Sequence, residues 1–238
     1  TNIEEIYFPT SLTELEERWC IDSKNLKRII ISSSNDHFIL KEDKYLLCKS
    51  DNNNDEFDNL VFVICDTEKI SLPTNIKTIS SYAFSNCYIV KEVEIPTNSN
   101  LQTIEKLAFQ CSNIEEIFIA PSVSKICEHA FSYCSNLKKV IIPQDSKLQT
   151  IENGAFAQSN IEEIFIPPNV SKICESTFSG CHNLKKVEIP TNSKLQTIEK
   201  DVFAGTNIEE IYFPTSLIEL EERWCIDSKN LKRIIISP

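Results

Sequence analysis

The side chains in this 238-residue chain best suited to chemistry are ten cysteines, three histidines (His37, His129 and His182) and an acidic run at 51–56. A zinc site is built from close ligand pairs such as Cys-x-x-Cys or His-x-x-x-His, and neither spacing occurs, so no metal centre is expected. The run Asp51-Asn52-Asn53-Asn54-Asp55-Glu56 offers oxygen ligands for calcium but lacks the glycine and the spacing of an EF-hand loop, and reads as a solvated turn. Only Gly154, Gly180 and Gly205 are available to cradle a phosphate, and no Gly-x-Gly-x-x-Gly, Walker or Gly-x-Ser-x-Gly signature is present. The expectation is a protein with no cofactor and no catalytic residues.

The cysteines fall into a pattern of their own. Cys87, Cys111, Cys134 and Cys181 each stand three residues before a recurring apolar segment, a position suited to a small buried side chain. Cys127 and Cys174 lie two repeats apart, roughly 10 Å at about 5 Å per coil, beyond the reach of a bridge. Cys48 and Cys65 are the pair that facing strands could bring together in an optional disulfide.

What positions all of these residues is an internal repeat. Asn-Ile-Glu-Glu-Ile begins at 2, 113, 160 and 207, and Asn-Leu-Lys-Lys-Val or Asn-Leu-Lys-Arg-Ile at 25, 136, 183 and 230. Strand starts at Ile3, Leu26, Thr67, Val90, Ile114, Leu137, Ile161, Leu184, Ile208 and Leu231 step by 23 or 24 residues, with one gap of 41. Within a unit, Leu137, Val140 and Ile142 alternate with Lys139 and Ile141, the period-2 pattern of a half-buried strand, so stacked coils should share one parallel sheet. The prolines, from Pro9 to Pro238, follow the strands and mark a common corner. Phe84, Phe109, Phe131, Phe156, Phe178 and Phe203 recur once per coil and should fill the side opposite the sheet. Asn113, Asn136, Asn160, Asn183 and Asn207 precede strands, where buried amides could satisfy turn backbone as an asparagine ladder.

The unit Lys-Ile-Cys-Glu-His-Ala-Phe-Ser-Tyr-Cys-Ser-Asn-Leu-Lys-Lys-Val-Ile-Ile-Pro at 125–143 resembles the BspA-like leucine-rich repeat of bacteria and parasitic protists, and the resemblance extends over nearly the whole chain. It implies an α/β repeat solenoid of 23–24-residue coils with a parallel β-sheet on one face. The stretch 33–66, with Phe38-Ile39-Leu40, Tyr45-Leu46-Leu47 and Leu60 to Ile64, resembles that family's β-hairpin insertion, its Asn/Asp-rich tip at 51–59. At 17–22 and 222–227 the pattern departs: Trp19 and Trp224 take the Ala place and Cys20 and Cys225 the Phe place, predicting reshaped coils. Residues 1–32 recur at 206–237 with one difference, Thr13 against Ile218. With Thr at position 1 and no Met, the chain, a single solenoid over 1–238, is expected to be a fragment of a longer array whose ends are not polar caps.

The surface bounds the function. A net charge of −11 opposes nucleic acid and anionic lipid, and no apolar run approaches the ~20 residues of a membrane span. Glu115-Glu116, Lys138-Lys139, Glu162-Glu163, Lys185-Lys186, Glu209-Glu210 and Lys232-Arg233 alternate in sign on successive coils, which favours correct register. The outward strand position carries Tyr7, Ile30, Phe118, Ile141, Phe165, Tyr212 and Ile235, with Glu94 and Glu188 between them. Core packing does not need apolar residues there, so this stripe is the candidate site for a protein partner, although cross-strand packing alone would also favour it. The family resemblance implies an adhesin-like module at the cell surface or outside the cell, binding host or matrix proteins. The alternative from the repeat itself is a scaffold that self-associates end to end.

Overall fold

The computed structural model describes residues 2–20, 23, 25–49 and 56–236, so most of the acidic run (51–55) and Pro238 lie outside the described residues. Each coil places one short strand on a front face. These are β1 (Glu5–Phe8), β2 (Arg28–Ile31) and eight more from Lys69–Ser71 to Arg233–Ile236. They form three parallel sheets, β1 with β2, the six strands from Lys69–Ser71 to Lys186–Glu188, and Glu210–Phe213 with Arg233–Ile236; within each, neighbours pair one coil apart, with Ile117 opposite Val140 and Ile164 opposite Val187. A second parallel ladder of two-residue strands, from Thr78–Ile79 to Glu219–Leu220, runs along another side and stacks Ile79, Ile104, Ile126, Ile151, Ile173 and Ile198. The corner between the two ladders is a tight turn in which a proline carbonyl accepts the amide three residues on, as Pro143 does from Ser146 at 3.1 Å.

The α/β expectation is corrected here, because no helix occurs among the described residues. The Ala-Phe segment spends its amides between coils. Those of Phe84, Phe109, Phe131, Phe156 and Phe178 donate to Ala108, Ala130, Ala155, Thr177 and Val202 of the following coil at 2.7–2.9 Å. Residues between them close three-residue turns instead, such as Ala130 to Cys127 at 3.2 Å. Two places per coil are left-handed: Tyr82, Leu107, His129, Gly154, Ser176 and Asp201, and four residues later Asn86, Cys111, Tyr133, Gln158, Gly180 and Gly205. A left-handed residue every fourth position cannot belong to an α-helix, and each non-glycine there costs about 1–2 kcal/mol that the inter-coil bonds and the core must offset. At Gly180 (φ 71°) an added β-carbon would come within 2.0 Å of the Gln158 side-chain amide, so a larger residue there must displace that exposed side chain as well as strain the backbone.

The interior fills as the periodicity predicts. The six phenylalanines are fully buried and stack with nearly parallel rings, centroids 4.6 to 5.6 Å apart. Trp224 ends the column edge-on, 6.3 Å from Phe203 and 5.4 Å from Phe213, which is how the coil with Trp in the Ala place is reshaped. Trp19 packs in the same manner on Phe8 and Phe62.

Between the second and third coils stands an antiparallel meander of three strands rather than a two-stranded hairpin: β3 (Phe38–Lys41), β4 (Tyr45–Lys49) and β5 (Phe57–Val63). Its last strand pairs in parallel with Thr78–Ile79 and so starts the second ladder. The central strand is buried on both faces. Tyr45 and Leu47 join the main core, whereas Leu46 joins a smaller cluster with Phe8, Cys20, Leu26, Ile29, Phe38 and Ile64.

Candidate partner-binding face

The front face carries two outward columns. In the strand Glu116–Phe118, Ile117 points into the core and leaves Glu116 and Phe118 outside; the same alternation in the following strands aligns Glu116, Lys139, Glu163 and Lys186 in one column and Phe118, Ile141, Phe165 and Glu188 in the next. Beyond the apolar column comes the proline corner. The face is therefore an apolar strip bounded by charge on one side and by rigid turns on the other.

The structure brings the sequence-chosen residues together in three islands, not one stripe. Tyr7 and Ile30 pair on β1 and β2, Phe118, Ile141 and Phe165 lie on successive strands, and Tyr212 pairs with Ile235 near the C-terminal end. Ser71, Glu94 and Glu188 interrupt them. Tyr7 and Tyr212 are 60% and 46% exposed, whereas Ile30, Phe118, Ile141, Phe165 and Ile235 are half-buried. Phe118 and Phe165 reach the edge of the main core, so they contribute both to packing and to the surface.

Opposite charges face each other along the charged column: Glu116 opposite Lys139, Lys139 opposite Glu163, Glu163 opposite Lys186, Glu210 opposite Arg233 and Glu5 opposite Arg28. Ion pairs form at Lys69–Glu92 (2.8 Å), Lys91–Glu68 (2.8 Å), Lys139–Glu116 (3.5 Å) and Lys232–Glu209 (3.0 Å), and between Arg233 and Glu210. Being exposed and screened by solvent, they contribute little to stability, and their main effect is on register. One place breaks the rule, where Glu92 stands opposite Glu116. The Ser71 hydroxyl at 2.7 Å and then Lys69 hold the Glu94 carboxyl below its ordinary range, so the gap in the apolar column is a fixed negative charge.

The asparagines correct the ladder expectation. Asn136 donates to Asn113, Asn183 to Asn160 (2.6 Å) and Asn230 to Asn207 (3.0 Å), so they bond in pairs, and they are half-buried or exposed instead of buried. The corner they occupy faces solvent, and the buried backbone is served by other groups. Ser99, Ser146 and Ser193 accept the amides of Leu101, Leu148 and Leu195, while the Cys134 and Cys181 thiols donate to the carbonyls of Phe109 and Phe156 at 3.0 and 3.1 Å.

That last contact belongs to a column in which sequence reasoning placed Cys87, Cys134 and Cys181 but missed Ser112, Ser159, Thr206 and Ser228; neighbours bond in pairs, Ser112–Cys134 and Ser159–Cys181 at 3.4 Å and Thr206–Ser228 at 3.0 Å. Cys111 does not belong to it. Its coil is one residue shorter after Phe109, so Ser112 takes the buried place and Cys111 falls on the left-handed turn. The disulfide expectation is also corrected, since Cys65 bonds to Cys87 (Cα–Cα 5.7 Å) and Cys48 stays free. Cys48 does sit on β4 across from Asn59 of β5, but Cys65 lies past the end of β5, beside the next coil.

The buried thiols are not activated. Burial pushes Cys134 up to about 12 and Cys48, Cys127 and Cys181 up to about 11, the reverse of what a nucleophile requires. Among the described residues no cluster of three or more His, Cys, Asp or Glu could hold a metal ion, and no helix is long and apolar enough to cross a membrane.

A model of the BspA-type leucine-rich repeat region matches residues 1–50, 55–176 and 149–238, in six copies. The chain belongs to this family. Solved structures share the fold of this BspA-type chain. A leucine-rich repeat protein from Eubacterium ventriosum superposes with a TM-score of 0.68 at 22% identity, over 94% of this chain and 58% of its own. The pneumococcal vaccine antigen PcpA gives 0.55 at 22% identity over 85% and 50%, and a leucine-rich repeat protein of T. pallidum 0.51 at 19% over 73% and 87%. The BspA-type chain thus spans 58% and 50% of the first two of these proteins. No curated protein matches it.

Proposed function

We propose that this chain is a protein-binding module of adhesin type, displayed at the cell surface or outside the cell, which grips an extended segment of a host or matrix protein along its front face. The observation that carries the reading is the apolar column Phe118, Ile141 and Phe165, accessible to solvent although strand alternation does not require apolar residues there. Tyr212 and Tyr7 extend the contact with exposed aromatic rings, the residue type that dominates the energetics of protein interfaces. The charged column beside it supplies a polar rim, and Glu94 and Glu188 divide the strip into separate apolar islands. The Cys65–Cys87 bond supports a location outside the reducing cytosol. Raised thiol pKa values and the exposed, paired charges favour binding over catalysis.

The test replaces Phe118, Ile141, Phe165 and Tyr212 together by alanine and follows binding to immobilised extracellular-matrix proteins, with circular dichroism to verify folding. The expected result is at least a tenfold loss of affinity, while Tyr133→Ala on the back turn leaves binding intact. Unchanged affinity for every matrix protein tested, or no affinity in the parent, refutes the proposal.

A further inference from the structure

Two residues ahead of each front strand stands a side chain that turns into the core. Leu26 holds this place before β2, and Val90, Ile114, Leu137, Ile161 and Leu184 hold it before the strands from Glu92–Glu94 onward; all six are buried. One member of the series is missing. Before the strand Lys69–Ser71 the place falls to Thr67, which is exposed. Its hydroxyl donates to the Lys69 carbonyl at 3.0 Å and accepts from Lys44 at 3.3 Å, so it is held outside. The cause is the meander, whose last strand ends at Val63 and leads to Lys69 without a turn like Ala83-Phe84, which precedes the next strand.

A cleft of about 390 Å³ opens at this place, between Leu26 of the second coil and Tyr88 and Ile89 of the fourth. Phe62, Val63 and the Cys65–Cys87 disulfide line it as well. Its rim is more apolar than the same corner elsewhere. The position of Ile89, one residue before Val90, is asparagine in the coils of Asn25, Asn113 and Asn136, yet here Ile89 is 50% and Tyr88 47% exposed. Ser85 also lines the cleft, and its hydroxyl oxygen is buried without a hydrogen-bond partner, whereas that of its counterpart Ser132 donates to the His129 carbonyl at 3.0 Å. An apolar hollow with an exposed aromatic rim and an unsatisfied hydroxyl has the character of a recognition site.

We propose that this cleft takes an apolar side chain of leucine or phenylalanine size, presented by an extended segment of a protein partner, which completes the column between Leu26 and Val90. The repeat itself specifies the chemistry of the occupant: the coils on either side fill the same place with Leu, Ile or Val, and Thr67, tied by two hydrogen bonds, leaves it empty. A side chain on a segment is favoured over a free small molecule because Tyr88 and Ile89 carry the apolar surface out of the cleft, where the flanking residues of a segment lie. The site is separate from the column of Phe118, Ile141 and Phe165, and it stands whether or not that column binds a matrix protein.

The test titrates the full chain with the N-acetyl amides of leucine, phenylalanine and alanine, each a side chain between two peptide groups, and follows the methyl resonances of Ile89 and Val63. The leucine and phenylalanine probes should shift them saturably and bind at least tenfold more tightly than the alanine probe, whose side chain buries three fewer carbons than that of leucine. Thr67→Leu, which supplies the missing side chain from the chain itself, should abolish the response. Ile89→Asn, read at Val63, should weaken binding at least tenfold, with circular dichroism showing both variants folded. No saturable shift with either probe, equal affinity for the alanine probe, or an unaltered response in both variants overturns the proposal. So does saturable binding of benzene without any response to the amides, which would make the cleft a site for a free apolar molecule.

Discussion

Replacing Phe131 by alanine tests whether the phenylalanine column holds successive coils together. The ring is fully buried, with parallel neighbours at 4.9 Å (Phe109) and 5.2 Å (Phe156). Removing it forfeits a transfer term of about 1.5–3 kcal/mol and two ring contacts at about 0.5–1.5 kcal/mol each. The total, about 2.5–6 kcal/mol, brackets the range of about 3–5 kcal/mol typical of Phe→Ala changes in cores, where a cavity remains because the surroundings relax only in part. Here relaxation is restricted, because the Phe131 amide is bonded to Ala155 and the Ala130 carbonyl to Phe109, so the backbone cannot close the gap without breaking inter-coil bonds at 2.7 Å. In a solenoid each coil touches only its neighbours, so the loss falls on the two interfaces that flank the coil. Urea unfolding followed by circular dichroism should show a lower midpoint, and hydrogen exchange should accelerate most at Phe109 and Phe131. A loss below about 1 kcal/mol, or exchange accelerated evenly along the chain, would mean that the two strand ladders, not the stack, hold the coils together.

Other consequences follow from the same geometry. Reduction of the Cys65–Cys87 bond, which closes a sequence separation of 22 residues, should lower stability by about 3 kcal/mol on the loop-entropy model, and a urea midpoint insensitive to reductant would refute it. Burial pushes the Glu199 carboxyl up, but Lys172 at 2.6 Å and the Glu175 amide at 2.8 Å outweigh it, and the net shift is downward from 4.5, as it is for Glu94. A depressed folded-state value contributes stability above the ordinary 4.5 and loses it as pH falls through the lower folded value. The urea midpoint should therefore decline below about pH 4.5, less so in Glu199→Gln, and an identical decline in that variant counts against the contact.

The repeat, its 23- and 24-residue steps, the front strands and the buried phenylalanines were legible because period-2 alternation and fixed spacing are direct consequences of stacking. The missing helix was not, since Glu-His-Ala-Phe fits one helical turn as well as it fits this loop. What decides is the left-handed backbone at Tyr82, Leu107 and His129, residues whose type gives no hint of it. The Cys65–Cys87 bond did have a signal: the separation of 22 is close to one repeat, which sets two cysteines on adjacent coils. Cys48 and Cys65 looked closer only because a strand pairing had to be assumed. Ser112 in place of Cys111 follows from letting the one-residue difference between coil lengths fall after Phe109 instead of before it. The apolar column and the Glu94 and Glu188 that interrupt it were visible, but not the breaks in the front sheet itself, between β2 and Lys69–Ser71 and between Lys186–Glu188 and Glu210–Phe213.

The back turns also give the molecule a direction. From Phe84–Ala108 to Gly205–Ile226, the inter-coil bonds on that side point their N–H groups toward the C-terminal end. The front ladder has bonds of both senses, Leu72 to Glu94 forward and Lys91 to Glu68 backward, so its dipoles nearly cancel. Bonds beside the second ladder run the other way, from Gln102 to Lys77 and from Glu105 to Ile79, so the two senses are sorted by side of the solenoid. A coil must therefore offer its predecessor carbonyls at the back turns and amides at the second ladder, so coils match one another in a single orientation.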